Sequence, residues 1–474
     1  MKKQANGWKT GALILLCAAM TACAGGKDKG GAGGTPAAVG SETEKSNGKT
    51  VVTMSVLTKD RYLAEAEQKF EAAHPDIDIV FDELVPMDTS EVGGKMVMRQ
   101  GGGAESEKEK QDAEKYANNV NTAIMSGNAA DIISVENLPF DKYAEKGLLA
   151  DWNALAGKDG SFRKSDYYEN IFKGLSQGDQ WYGIPTSFTL DVMHGNAELL
   201  KQHQLDDKTW TWDQFVDLLS KTKTDGKFGL AAIPPESLLG YLVGSVYGQL
   251  VKNDGKSWTF DVAAFEAYME KIKKLYDTGL ATSEMMGPDT ANFNQMNMNS
   301  PMDVVLMPQM GGKSQAMLRP PGIGQDEGIP FKSGRVLSLN AKSKVQDAAW
   351  SFVKFLLSEE MQSSMSLMQF PVNQAALKNK LVETKNMLEG KGGGGKKGGI
   401  QIKNKDGTTL QPKLSDEDIM RVVNLMPSVS KYSNQNPKVL AMIAEESAAY
   451  FSGSKSADAV AKSLASRIGT YLNE

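Results

Sequence analysis

Cysteine and histidine are nearly absent from this 474-residue chain, which holds 2 of the former and 3 of the latter. Cys17 falls inside an N-terminal apolar run and Cys23 just after it, so the folded part has no thiol pair for a disulfide and no cysteine for a metal site or a nucleophile. His74, His194 and His203 show no paired ligand spacing, and neither zinc nor any other cofactor is expected. Long apolar runs are missing too. Gly11 to Ala22 is shorter than the ~20 residues needed to span a bilayer, and no later stretch is apolar enough. A basic excess is also absent: the net charge is −5, and losing Lys2, Lys3 and Lys9 with the leader takes 53 basic residues to 50 against 58 acidic ones, or −8. Nucleic acid is therefore excluded as a partner. What is left is a chain long enough for two domains, whose folding rests on core burial alone.

The N-terminus carries three lysines, the short apolar run and small residues at its end, the layout of a signal peptide over residues 1–22. Met20-Thr21-Ala22-Cys23 resembles a lipobox, in which Cys23 is acylated and anchors the mature chain to the outer face of the membrane. The alternative is an ordinary signal peptide followed by an incidental cysteine. Residues 23–48 are dense in Gly, Ala, Ser, Lys and Glu without apolar periodicity, as expected of a tether.

Val51 to Leu57 reads as a buried strand, Tyr62, Leu63, Ala66 and Phe70 as a helix, and Ile77, Ile79 and Phe81 as a second strand, a βαβ unit implying a parallel sheet. Ligands in such sheets sit beyond the carboxyl ends of strands, where Lys59, Asp60 and Arg61 stand; the plainer role for the three is a solvated turn and helix cap. Later the spacing predicts a strand at Asp131 to Ser134, a strand ending at Pro185, another over Phe188 to Met193 and a capping box at Thr211 to Gln214. Further strands are predicted at Asp303 to Met307 and Gly334 to Leu339. Gly174-Leu175-Ser176-Gln177-Gly178 fits the nucleophile elbow of hydrolases, but its context is wrong. A helix precedes the serine, a turn follows it, and no histidine lies far downstream after an acid. Lys391 to Gly399 is a Gly/Lys run read as a surface insertion.

Tyr182-Gly183-Ile184-Pro185 and Thr211-Trp212-Asp213-Gln214-Phe215 resemble a recurrent stretch of the extracellular solute-binding proteins of ABC importers, family 1, maltose-binding-protein-like. Gly334 to Leu339 with Ala348 to Leu356 and Ser358 to Gln362 is similar to that family's second crossing between lobes, and Phe370-Pro371-Val372-Asn373 to its third. Gly195-Asn196 departs from the pattern, standing where an aromatic-Asn pair often ends the second strand.

The resemblance covers nearly all of residues 49–474. It implies an α/β, two-lobed periplasmic-binding-protein-like fold with three hinge crossings. Residues 49–185 with 340–371 form lobe 1, and residues 186–339 with 372–474 form lobe 2. It also implies a monomer that binds a carbohydrate by closing on it, works with ABC permease subunits and catalyses nothing. Carried over by position, Val135, Glu136 and Asn137 face the cleft, Glu236 and Tyr241 contribute from the second lobe, and Met310 and Tyr432 take the places of ligand aromatics. Trp181, Tyr182 and Phe188 offer further flat faces, Asp60, Glu136, Asn137 and Glu236 take up hydroxyls, and Arg61 and Arg319 leave an acidic sugar open. Two other classes stay in view: an exported hydrolase using Ser176 or a carboxylate pair, and a ligand sensor for a membrane receptor.

Overall fold

The computed structural model describes residues 48–87, 107–136, 138–224, 226–253, 256–284, 290–310, 315–391, 402–403, 409–433 and 435–473. Cys23, Asn137 and most of the Gly/Lys run lie outside these residues, so the expectations placed on them have no structural counterpart.

The βαβ start forms as the residue pattern predicts. Strand β1 (Thr50–Val56) runs parallel to β2 (Ile77–Glu83), and the helix Arg61–Ala73 between them buries Tyr62, Leu63, Ala66 and Phe70. Asp60 caps that helix, its carboxylate accepting from the Leu63 N–H. The helix Glu107–Ser126 then delivers β3 (Ile132–Ser134) parallel to β1 on its other side. The short β4 (Leu149–Ala150) and β5 (Ile184–Asn196) follow, then β6 (Phe228–Ala231) and a hairpin of β7 (Val251–Asn253) and β8 (Trp258–Phe260). Next come β9 (Ala291–Met298), β10 (Gln315–Leu318), β11 (Ile329–Asn340) and β12 (Phe370–Pro371). A second hairpin of β13 (Ile402–Lys403) and β14 (Thr409–Leu410) precedes β15 (Val429–Tyr432). Eleven of these strands join one mixed sheet whose main path is β2-β1-β3-β11-β5-β9-β6. Strands β5 and β11 are its antiparallel centre, and β12 adds to β5 at Phe370 opposite Phe188. All three predicted crossings therefore lie side by side.

Two readings of the sequence are corrected. Pro185 does not divide a strand: β5 runs unbroken through it, because the proline sits where the register with β11 slips. Val336 faces Pro185, Arg335 faces Ser187 and Thr186 is passed over, so the missing proline N–H leaves no gap in a regular ladder. Asp303 to Met307 is not a strand but part of the helix Pro301–Met310. Proline at its first position presets the helical φ, and the Asp303 carboxylate accepts from the Asn299 and Ser300 N–H groups at 2.9 and 2.8 Å. A short apolar run such as Val304-Val305-Leu306 cannot be assigned by periodicity alone.

The apolar core falls into two clusters. One gathers Met54, Phe70, Trp152, Phe188, Phe331, Phe352 and Phe370; the other gathers Trp210, Phe215, Leu239, Phe265, Phe293 and Leu464. The changeover occurs inside β5, where Val192 belongs to the first and Met193 to the second. Among the described residues no helix is long and apolar enough to cross a membrane.

Candidate functional site

A cavity of about 330 Å³ opens where the two clusters meet. Strands β5 and β11 bring Asp191 and Lys332 to it, the end of β15 brings Lys431 and Ser433, and the helix Pro235–Leu250 brings Glu236 and Tyr241. Trp210 and the loop from Arg319 close the other side.

Asp191 is buried, and its carboxylate is held by the Lys332 ammonium at 3.1 Å, which in turn lies 5.6 Å from the centre of the Tyr241 ring. Burying a carboxylate without a partner is costly, so this pair fixes Lys332 over the tyrosine face. Trp210 is locked by its indole N–H to the Arg319 carbonyl at 3.2 Å, and the Arg319 N–H reaches Asp207 at 2.8 Å. Arg319 also pairs with Asp326, and Lys431 with Glu327. Glu236 differs from these acids: it sits in the first turn of its helix, where the helix dipole favours negative charge, and among the described residues nothing donates a hydrogen bond to it. The cavity thus offers aromatic surface, one unengaged carboxylate and several charges already neutralised in pairs.

A second group of the predicted contacts gathers around a residue that sequence reasoning missed. Arg335 on β11 donates from Nη2 to the Asp60 carboxylate at 2.6 Å, and Glu136 acts on it electrostatically. Burial works against its charge, but Asp60 and Glu136 outweigh that and hold its pKa above the usual guanidinium value. Glu136 itself accepts from the Ser134 hydroxyl at 2.8 Å. Asp60 and Glu136 therefore meet at the carboxyl ends of β1 and β3, while Glu236 stands in the cavity.

The other predicted contacts are placed elsewhere. Lys59 is engaged in packing its own βαβ unit: its N–H donates to Glu83 at 3.0 Å, and its ammonium pairs with Glu67 and lies 4.7 Å over the Phe81 ring. Arg61 is the exposed first residue of the helix that Asp60 caps. Phe188 is fully buried, stacked on Phe370 at 5.3 Å and edge-on to Phe331, so its ring is core and has no face for a ligand. Tyr432 packs on Phe331 at 5.4 Å, and burial raises its hydroxyl pKa. Side chains alternate along a strand, so with Lys431 and Ser433 turned to the cavity the ring between them points away. Met310 ends its helix, and the four residues after it lie outside those described. Trp181 packs against Phe172 and carries Lys164 on its ring at 4.8 Å.

Ser176 caps the C-terminal end of the helix Glu169–Leu175, its hydroxyl donating to the Lys173 carbonyl at 2.9 Å. No strand leads into it, so it is no nucleophile elbow. Asp191, Lys332 and Arg335 were among the missed residues, and one signal for these three was available: charged residues inside strand-like apolar runs need a reason to be there.

Comparison with known proteins follows the same line. A model of the bacterial extracellular solute-binding proteins matches residues 109–363, more than half of the chain. A diacetylchitobiose-binding protein of Streptomyces coelicolor is 24% identical over 52% of this chain and 60% of its own length, so the match spans less than two thirds of that relative. Among solved structures, MalE of Xanthomonas citri is similar at a TM-score of 0.56 and 14% identity, covering 89% of this chain and 97% of its own. A family 1 solute-binding protein of Alicyclobacillus acidocaldarius reaches 0.53 and 17%, covering 91% and 100%. An ABC substrate-binding protein of Listeria monocytogenes, solved with cycloalternan, also reaches 0.53 and 17%, covering 89% and 99%. At such identities the structural likeness is one of fold. The fold and the sequence match together place this chain in the family of bacterial extracellular solute-binding proteins, which bind and carry solutes rather than transform them.

Proposed function

We propose that this chain is the carbohydrate-binding component of an ABC importer, taking an oligosaccharide outside the cytoplasm and held at the membrane by lipid on Cys23. The observation that carries the reading is the cavity at the junction of the two core clusters, with the Tyr241 ring beside an unengaged Glu236. Its volume is at the small end of the ~300–1,000 Å³ of small-ligand sites. Aromatic rings suit the apolar face of a pyranose, and a carboxylate accepts hydroxyl protons more strongly than a neutral oxygen does. In this reading residues 49–185 with 340–371 and residues 186–339 with 372–474 move as two lobes. They turn about the adjacent strands β5, β11 and β12, and hinge closure on the ligand is what a permease recognises.

Calorimetric titration with neutral di- and trisaccharides tests it. Binding by the wild type, weakened about tenfold in Tyr241→Ala through lost ring contact, is the expected result. Sugars that leave the heat signal flat would reject the carbohydrate reading. Cys23→Ala should release the protein from membrane fractions, and its retention would reject the anchor alone.

A further inference from the structure

The register of β11 against β5 runs Lys332 to Thr189, Ser333 to Phe188 and then Arg335 to Ser187, so Gly334 is one residue too many for the ladder. In a regular strand Lys332 and Arg335 would point to opposite faces. The extra residue cancels the alternation and turns Arg335 to the face on which Lys332 lines the cavity. The Gln369 amide fills the space beside Gly334, where a Cβ would lie 1.4 Å from its Oε1, and that oxygen accepts from the Ser187 hydroxyl at 2.6 Å.

At its new position Arg335 is poorly used by the protein. A guanidinium has five N–H donors, and among the described residues a single bond, to Asp60, engages this one. Its side chain keeps 14% exposure, against 44% for Asp60, and none of its unbonded nitrogens is among the sealed polar atoms of the described residues, so those donors stay within reach of a ligand. Acceptors lie beside those donors. Asp60 has one oxygen on the Leu63 N–H and the other on Arg335, and Glu136 has one oxygen on the Ser134 hydroxyl and, among the described residues, no donor on the other. A hydroxyl placed here can accept from the guanidinium while donating to a carboxylate, two charge-assisted bonds for one group. A ligand carboxylate meets a different balance, because Asp60 and Glu136 outnumber Arg335 and the nearby Lys59 is already paired with Glu67.

We propose that Arg335 contacts the ligand and sets its class: with Asp60 and Glu136 it selects a neutral sugar presenting adjacent hydroxyls over one bearing a carboxylate. The proposal rests on the sugar-binding reading above and answers the question of charge that Arg61 and Arg319 leave open in the sequence.

The test titrates maltotriose, N,N′-diacetylchitobiose, xylotriose and trigalacturonic acid into the wild type, R335M and R335K. A neutral sugar should bind the wild type, lose about tenfold or more in R335M, and recover part of that in R335K, which keeps the charge but not the planar fork. Monodeoxy analogues of the binding sugar separate contact from structure. One of them should weaken binding to the wild type and then be indifferent to R335M, a coupling that a purely structural arginine would not produce. If R335M does not fold, R335K against the same analogues carries the comparison. Equal affinity of wild type and R335M for the neutral sugar overturns the contact, and trigalacturonic acid binding more tightly than every neutral sugar overturns the selection. A wild type that binds none of the four fails at the earlier step, the sugar-binding reading itself, and takes this inference with it.

Discussion

Gln362 is fully buried at the meeting point of four segments, and replacing it tests how the adjacent strands β5 and β12 are held. Its amide nitrogen lies 2.9 Å from the Thr186 carbonyl, 3.0 Å from the Leu356 carbonyl and 3.1 Å from the Tyr62 hydroxyl, and its oxygen accepts from the Val372 N–H at 2.8 Å. Thr186 is the residue the β5–β11 register passes over, so the glutamine serves a carbonyl that the ladder does not. Gln362→Met keeps length and volume but strands two groups, the Thr186 carbonyl and the Val372 N–H; Leu356 keeps the Tyr62 hydroxyl at 2.5 Å. Each stranded buried group costs about 1–3 kcal/mol, so the loss should be about 2–6 kcal/mol. At about 1 °C per kcal/mol for a chain of this length, Tm should fall by roughly 2 °C or more. Urea and thermal melts followed by circular dichroism read both numbers. A loss below about 1 kcal/mol would mean that water or a backbone shift satisfies these groups, and the amide would not be what ties β5 to the segment after β12.

The other predictions concern the buried histidine and the serine. His194 is buried on β5 with Nε2 unpartnered among the described residues, and burial pushes its pKa down to about 4 from 6.5. The unfolded chain therefore takes up the proton first. Stability is full above the unfolded value and is lost as pH falls from about 6.5 through about 4, by about 3 kcal/mol at 1.36 kcal/mol per unit. His194→Gln should flatten that stretch of the stability profile, and an unchanged slope in chemical denaturation at stepped pH would refute the assignment. Ser176→Ala should leave stability and sugar affinity within about 0.5 kcal/mol, because its hydroxyl only caps a helix end. A hydrolytic activity that disappears with this substitution would overturn the assignment to carriers.

Local order was legible from residues alone. Apolar spacing located the helix Arg61–Ala73, alternation located β1 and β2, and the capping box at Thr211 and Gln214 forms with both of its reciprocal bonds. These signals are short-range: a periodic stripe or a cap is complete within a few turns of chain, whatever lies beyond it. Where the signal was a bare apolar run, as at Val304 to Leu306, the chemistry did not choose, and flanking contacts from Asp303 settled the helix.

The site followed a different rule. Side-chain type pointed to Asp60, Glu136 and Glu236 as acceptors, but which of them share a place depends on segments 78 to 275 residues apart being laid side by side. Phe188 shows the limit most plainly: an aromatic in a predicted strand has two faces to choose from, and the pairing of β5 with β11 and β12 puts it between Phe331 and Phe370 in the core. One extra residue at Gly334 does the reverse for Arg335, turning an unremarked strand residue toward Asp60. Composition and periodicity determined that the chain is α/β with no thiol pair in its folded part, and the resemblance of its motifs to the solute-binding family implied a carrier. Register, which inverts every side chain when it slips by one and is set only when distant strands meet, decided which residues face the cavity.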